Sequence, residues 1–156
     1  MLDSGAFTYM HDTSKKVDWW EYAEKYAEFI VRHDVKNYVE LDLDNIIGYS
    51  EVLKIRAFLE RETNRPCMPV WHLWRGEDEY LRMVDEYDYA CISGFVSNVG
   101  GGGLSGKAKM VPHLIREGHK RGCRLHGLGC TRTKQLHALH FDSVDSTAWL
   151  SGGRYG

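Results

Sequence analysis

The sequence predicts an α/β fold, a partial or reduced (β/α) barrel of the TIM type with about six βα units. Short apolar runs alternate with helical stretches along all 156 residues. The apolar runs end in polar or glycine residues: Asp3-Ser4-Gly5, Asp42 and Asp44, His72, Ser93-Gly94, His126-Gly127, and Asp142 to Ser146. A barrel gathers groups from the carboxyl ends of successive parallel strands at one face, whereas a doubly wound sheet collects them at a switch point. A complete eightfold barrel takes about 250 residues, which leaves this chain about two βα units short. No internal repeat or long linker divides the chain, so 1–156 reads as a single domain.

Each element has a local reason. Residues 1–7 begin apolar and break at Gly5. Residues 14–33 read as a helix, with Val17, Trp20, Ala23, Ala27 and Ile30 at helical spacing and Thr13 or Ser14 as cap. Residues 37–44, "NYVELDLD", are strand-like, and 49–63 form a helix with Ser50 as cap. Residues 67–74 are a strand, with Pro69 near its start, where a missing N–H is tolerated. A short helix over 77–87 leads to a strand over 88–95 and then to a glycine-rich loop. Residues 107–121 are helical, limited at the start by Pro112. A strand over 123–130, a helix over 132–139 and a last strand over 140–146 follow.

Apolar residues make up 43% and aromatics 12% of the chain, as in globular proteins. Twenty Lys and Arg oppose 22 Asp and Glu, for a formal charge of −2, which neither demands nor excludes a nucleic-acid partner. A local basic stretch (Arg116, Lys120, Arg121 and Arg124, then Arg132 and Lys134) would supply phosphate contacts, or else is a solvated helix face. No window approaches the ~20 apolar residues of a membrane span, and the start MLDSGAF has no signal-peptide character. The expectation is a soluble, cytoplasmic protein without a membrane partner. Cys67, Cys91, Cys123 and Cys130 form no CxxC pair, and the spacing around His126 fits no common zinc module. They read as buried thiols in a reducing compartment.

Several motifs admit both a structural and a chemical reading. Asp3 either ends a strand in a turn or presents a carboxylate beside a glycine that lets a planar ligand approach. Glu40, Asp42 and Asp44 alternate with Leu41 and Leu43. Three carboxylates on one inward face would need a donor-rich ligand or a cation. Gly101 to Lys107 matches GxxxxGK, but Ala108 stands where a Ser or Thr would hold magnesium, so a lid beside a pocket is favoured over a phosphate loop. His137 and His140 lack an accompanying HExxH and read as surface histidines. In "FDSVDSTAW", Asp142 and Asp145 cannot both point the same way on one ideal strand. Two carboxylates from different strands, one of these plus Asp3, are the equipment of glycosidic chemistry.

These pieces in this order resemble the tRNA-guanine transglycosylase superfamily. It includes queuine and archaeosine tRNA-ribosyltransferases and relatives, often encoded by phages, that insert deazaguanines into DNA. "LDSGAF" resembles the family's DSGG-aromatic segment, and "ISGF" its Gly-Gly base-binding strand. "LHGLG" is similar to its LMGVG strand, and "FDSVDSTAW" with "SGGRYG" to its DMFDCVLPTR segment and Gly-Arg-Asn-Gly. The four motifs are colinear and span nearly the whole chain. The resemblance implies a pentosyltransferase that replaces guanine in tRNA or DNA with a 7-deazaguanine. Asp145 is then the nucleophile and Asp3 the general acid/base, with Asp142 in support. Phe7 lies near the stacking aromatic, Asp42 or Asp44 reads the base edge, and His72 stands at a base-touching position. Gly94 offers a backbone donor, and His126 and Gly127 line the opposite side. The family's zinc ligands have no counterpart here, so neither metal nor other cofactor is expected. The alternative is a non-catalytic deazaguanine- or nucleic-acid-binding subunit, completing its barrel as a homo-oligomer or with a partner subunit.

Overall fold

The computed structural model describes residues 1–6, 9, 17–93, 110–130 and 133–145. They fall into two compact units, Met1–Pro69 and Val70–Gly156.

In the first unit, three extended segments pair in parallel through single bridges, Leu2 with Tyr38 and Val39 with Met68. Helix α1 (Trp19–Arg32) starts later than the pattern predicts because Asp18 caps it, accepting from the N–H groups of Trp20 and Glu21. Its buried stripe is Ala23, Tyr26, Ala27 and Ile30. Trp20, expected inside, is exposed and donates its indole N–H to Glu51. The strand predicted over 37–44 is cut short, because Asp44 opens the single-turn helix α2 (Asp44–Ile47). Helix α3 (Tyr49–Thr63) follows Gly48, at φ 81°, and has no side-chain cap, so Ser50 does not serve as one. Val52, Ile55 and Leu59 of α3 close the core over Tyr38, Leu41 and Leu43. Within it, Arg56 donates two hydrogen bonds to Glu40, at 2.7 and 3.1 Å.

The second unit is a parallel sheet in the order β1 (Val70–His72), β2 (Tyr89–Ser93), β3 (Arg124–Gly127) and β4 (Ser143–Val144). Helices α4 (Glu77–Glu86), α5 (Val111–Lys120) and α6 (Thr133–Ala138) supply the crossovers that parallel strands require. The predicted strand over 67–74 stops at His72, where Leu73–Arg75 wind into a 3₁₀ turn ending at Gly76, with φ 83°. Pro112 sits in the first turn of α5, where no N–H is needed. Trp71, Ala90, Ile92 and Leu125 join Tyr80, Met83, Val84, Leu114 and Ile115 in one core, which identifies the helix-covered face. Alternate residues along the strands, Val70, Cys91 and His126, belong to the other face. The architecture is therefore mixed α/β with a four-stranded parallel sheet and flanking helices.

All four cysteines are buried thiols. Burial raises the thiols of Cys67 and Cys130, and pushes Cys123 up to about 12. Among the described residues no helix is long and apolar enough to cross a membrane.

Candidate functional site

The second unit's register aligns its chemistry in rows. His72 is opposite Ser93, Cys91 opposite His126, and His126 opposite Ser143. Asp145 directly follows β4, so it lies at the carboxyl edge, as do His72 and Ser93.

Asp145 is held at one oxygen. The Gly129 N–H donates to its Oδ1 at 2.9 Å, and His126 Nε2 lies 3.4 Å from the same atom. That second contact is longer than a formed hydrogen bond. The His126 ring is fully buried, and its Nδ1 meets Ser143 Oγ at 2.6 Å. Ser143 Oγ also meets the Tyr89 hydroxyl at 2.5 Å. Arg124 lies over the Tyr89 ring, 4.4 Å from its centroid, close enough for a cation–π interaction. Ser143, His126 and Asp145 have the composition of a hydrolytic triad. Ser143 Oγ, however, is engaged by both Tyr89 and His126, so it links two groups.

Asp142 precedes β4 and sits at the amino end of the strand. Its Oδ2 accepts from the Leu125 N–H at 2.7 Å and contacts His119 Nε2 at 2.9 Å. Burial would raise its carboxyl, but the bonds from Leu125 and His119 outweigh that and hold it below the usual carboxylate range. Gly127 is required by packing, because a Cβ there would stand 2.9 Å from the Phe141 ring and 3.2 Å from Cys130. His72 is buried and stacks on Trp74, with ring centroids 4.1 Å apart at 13°. Trp74 itself is 54% exposed.

In the first unit, Asp3 is exposed and follows the bridged Leu2. The neighbouring Ser4 carbonyl accepts the Tyr22 hydroxyl at 2.6 Å. The Tyr26 hydroxyl reaches the carbonyls of Val39, at 3.0 Å, and Leu2, at 3.3 Å. Burial raises the Tyr26 phenol, and the charge of Asp3 adds to the effect. Asp42 and Asp44 are half-buried with carboxylate oxygens within 4.8 Å of each other, Asp44 opens α2, and Glu40 is paired with Arg56. Phe7, Gly94, the GxxxxGK stretch with Lys107, and the tail from Ser146 lie outside the described residues.

The basic stretch is partly neutralised. Lys120 and Arg121 bond to Glu117, pulling its carboxyl down to about 2, and Arg121 also pairs with Asp85. Sequence reasoning missed Tyr89, Ser143 and Gly129. Period-two spacing could have flagged Tyr89 and Ser143, since Tyr89 shares a face with Cys91, and Ser143 with Asp145.

No family model matches the chain, and no curated protein matches it.

Proposed function

We propose that the chain is a base-exchange glycosyltransferase of the transglycosylase type, acting on guanine in tRNA or DNA, and that its sheet is part of a (β/α) barrel. The observation that carries this reading is Asp145, a carboxylate at the carboxyl edge of a parallel sheet with Oδ1 anchored by Gly129 and beside buried His126. Sequential strand order without a switch point supports the barrel over a doubly wound sheet.

In the reaction, an Asp145 carboxylate oxygen attacks C1′ as the bond from C1′ to the guanine nitrogen breaks. The electron pair leaves with guanine, which takes up a proton; the resemblance assigns that proton to Asp3. The incoming 7-deazaguanine gives up its ring N–H proton and attacks C1′, and Asp145 departs as carboxylate. Two displacements give net retention. The target base has to leave its stack to be reached.

The test is trapping of a covalent adduct between the chain and guanine-containing tRNA or DNA. Wild type forms it and Asp145→Asn does not; an undiminished adduct in the variant refutes the assignment. Retained guanine binding without any adduct selects the non-catalytic binding subunit instead.

A further inference from the structure

We infer that Tyr89, Ser143 and His126 form a hydrogen-bonded relay that presets Asp145, with His126 acting as a positioning residue in its neutral Nε2–H form. The catalytic meaning of the relay rests on Asp145 being the nucleophile; the relay itself rests on the contacts.

Proton bookkeeping fixes its direction. Ser143 Oγ has one proton and two partners, Tyr89 at 2.5 Å and His126 Nδ1 at 2.6 Å. A neutral imidazole has one N–H, and a fully buried ring disfavours carrying a charge. If Nδ1 held the proton, Nε2 would aim a lone pair at the Asp145 oxygen 3.4 Å away. With the proton on Nε2, the two hydroxyl protons each have an acceptor, and the imidazole N–H has the Asp145 carboxylate as its nearest counter-charge. Tyr89 O–H donates to Ser143 Oγ, Ser143 O–H to Nδ1, and Nε2–H lies beside Asp145 Oδ1, with the nitrogen 3.4 Å from it. Such a contact is often long in an unliganded enzyme and tightens in the reacting complex.

The consequence is an inequivalent carboxylate. Gly129 and His126 both address Oδ1, which leaves Oδ2 as the attacking atom. In the glycosyl ester Oδ1 is the carbonyl oxygen. When the ester breaks, the C1′–O electron pair returns to Oδ2 and the charge is shared by resonance with Oδ1, which Gly129 N–H already meets and His126 lies beside. The resemblance makes His126 a wall of the base pocket; the contacts instead direct it at the nucleophile.

Two measurements decide this. The imidazole nitrogen NMR spectrum of the wild-type chain at neutral pH should show a pyridine-like Nδ1 and a pyrrole-like Nε2 for His126. An Nδ1–H tautomer or an imidazolium overturns the relay. In single-turnover adduct formation with guanine-containing tRNA or DNA, His126→Leu should slow the step on the order of 100-fold, as misplacement of a reacting group does. Guanine affinity should stay unchanged. His126→Gln, which keeps a donor, should recover most of the rate, and Tyr89→Phe should lose only part of it. Weakened guanine binding with an unchanged step makes His126 a base contact and refutes the inference. Absence of any wild-type adduct refutes the transglycosylase reading, while the imidazole spectrum still decides the relay.

Discussion

Asp142 and Asp145 stand at opposite ends of β4, and each is tied to a different strand connection. Asp142 bonds the start of β3 through Leu125 N–H at 2.7 Å, and Asp145 bonds the loop after β3 through Gly129 N–H at 2.9 Å. One clamps the amino edge of the sheet, and the other is presented at the carboxyl edge.

That division separates the two aspartates by experiment. Asp142→Asn should lower stability and leave adduct formation by the folded fraction intact, whereas Asp145→Asn should do the reverse. Urea denaturation beside adduct trapping checks both. Loss of adduct in Asp142→Asn at full folding would move the nucleophile to that residue.

The Asp142 clamp should also be acid-labile. Its carboxyl is held below its usual value in the folded chain. The unfolded carboxyl titrates near ~3.9. A depressed folded value means the contribution is complete above the unfolded one and fades as pH falls through the folded one. The stability gap between wild type and Asp142→Asn, measured by urea denaturation, should therefore be constant from pH 7 to pH 5 and close below about pH 4. A gap that persists unchanged at pH 2 contradicts the clamp.

The buried Glu40–Arg56 pair should be costly to break and cheap to replace. The two side chains are 1% and 8% exposed. Glu40→Gln removes the carboxylate charge to which the buried guanidinium donates, at about 3–5 kcal/mol. Replacing both by leucine should cost much less, because neither charge is then desolvated. Equilibrium unfolding of the single and double variants tests this, and equal losses in both would refute it.

Gly118 should resist substitution although it lies within α5. A Cβ there would sit 2.6 Å from the Tyr80 hydroxyl and 2.9 Å from Leu125 Cδ1. Tyr80 cannot easily retreat, since its hydroxyl is bonded to the Leu114 carbonyl at 2.7 Å. Overpacking costs about 1–3 kcal/mol, and the helix propensity gained from alanine returns at most about 1. Gly118→Ala is expected to lower the thermal midpoint, and pairing it with Tyr80→Phe should restore part of the loss.

The four thiols should be silent in the native chain. All are buried, and the shifts at Cys67, Cys123 and Cys130 all disfavour the thiolate. A thiol-reactive chromophore at pH 8 should label none within the mixing time and all four after denaturation. Fast labelling of the native chain would point to local opening.

The amino-acid order alone determined the sequence of helices and strands in the second unit, because apolar periodicity, Gly76, Pro112 and the polar strand ends are local signals. It also implied that Asp142 and Asp145 cannot both point the same way on one ideal strand, since an odd separation along an extended chain alternates sides. Element ends were less legible. Asp18 took the cap expected of Thr13 or Ser14, and Leu73–Arg75 turned where a strand pattern continued. Only the tertiary structure decided what surrounds Asp145. Tyr89, His126 and Ser143 come from three strands, up to 54 residues apart, and they meet because β2, β3 and β4 pair in one register. Register is set by the summed packing of Trp71, Ile92, Leu125 and their helices. A shift of one residue would turn His126 to the helix-covered face and leave the carboxylate without its neighbour.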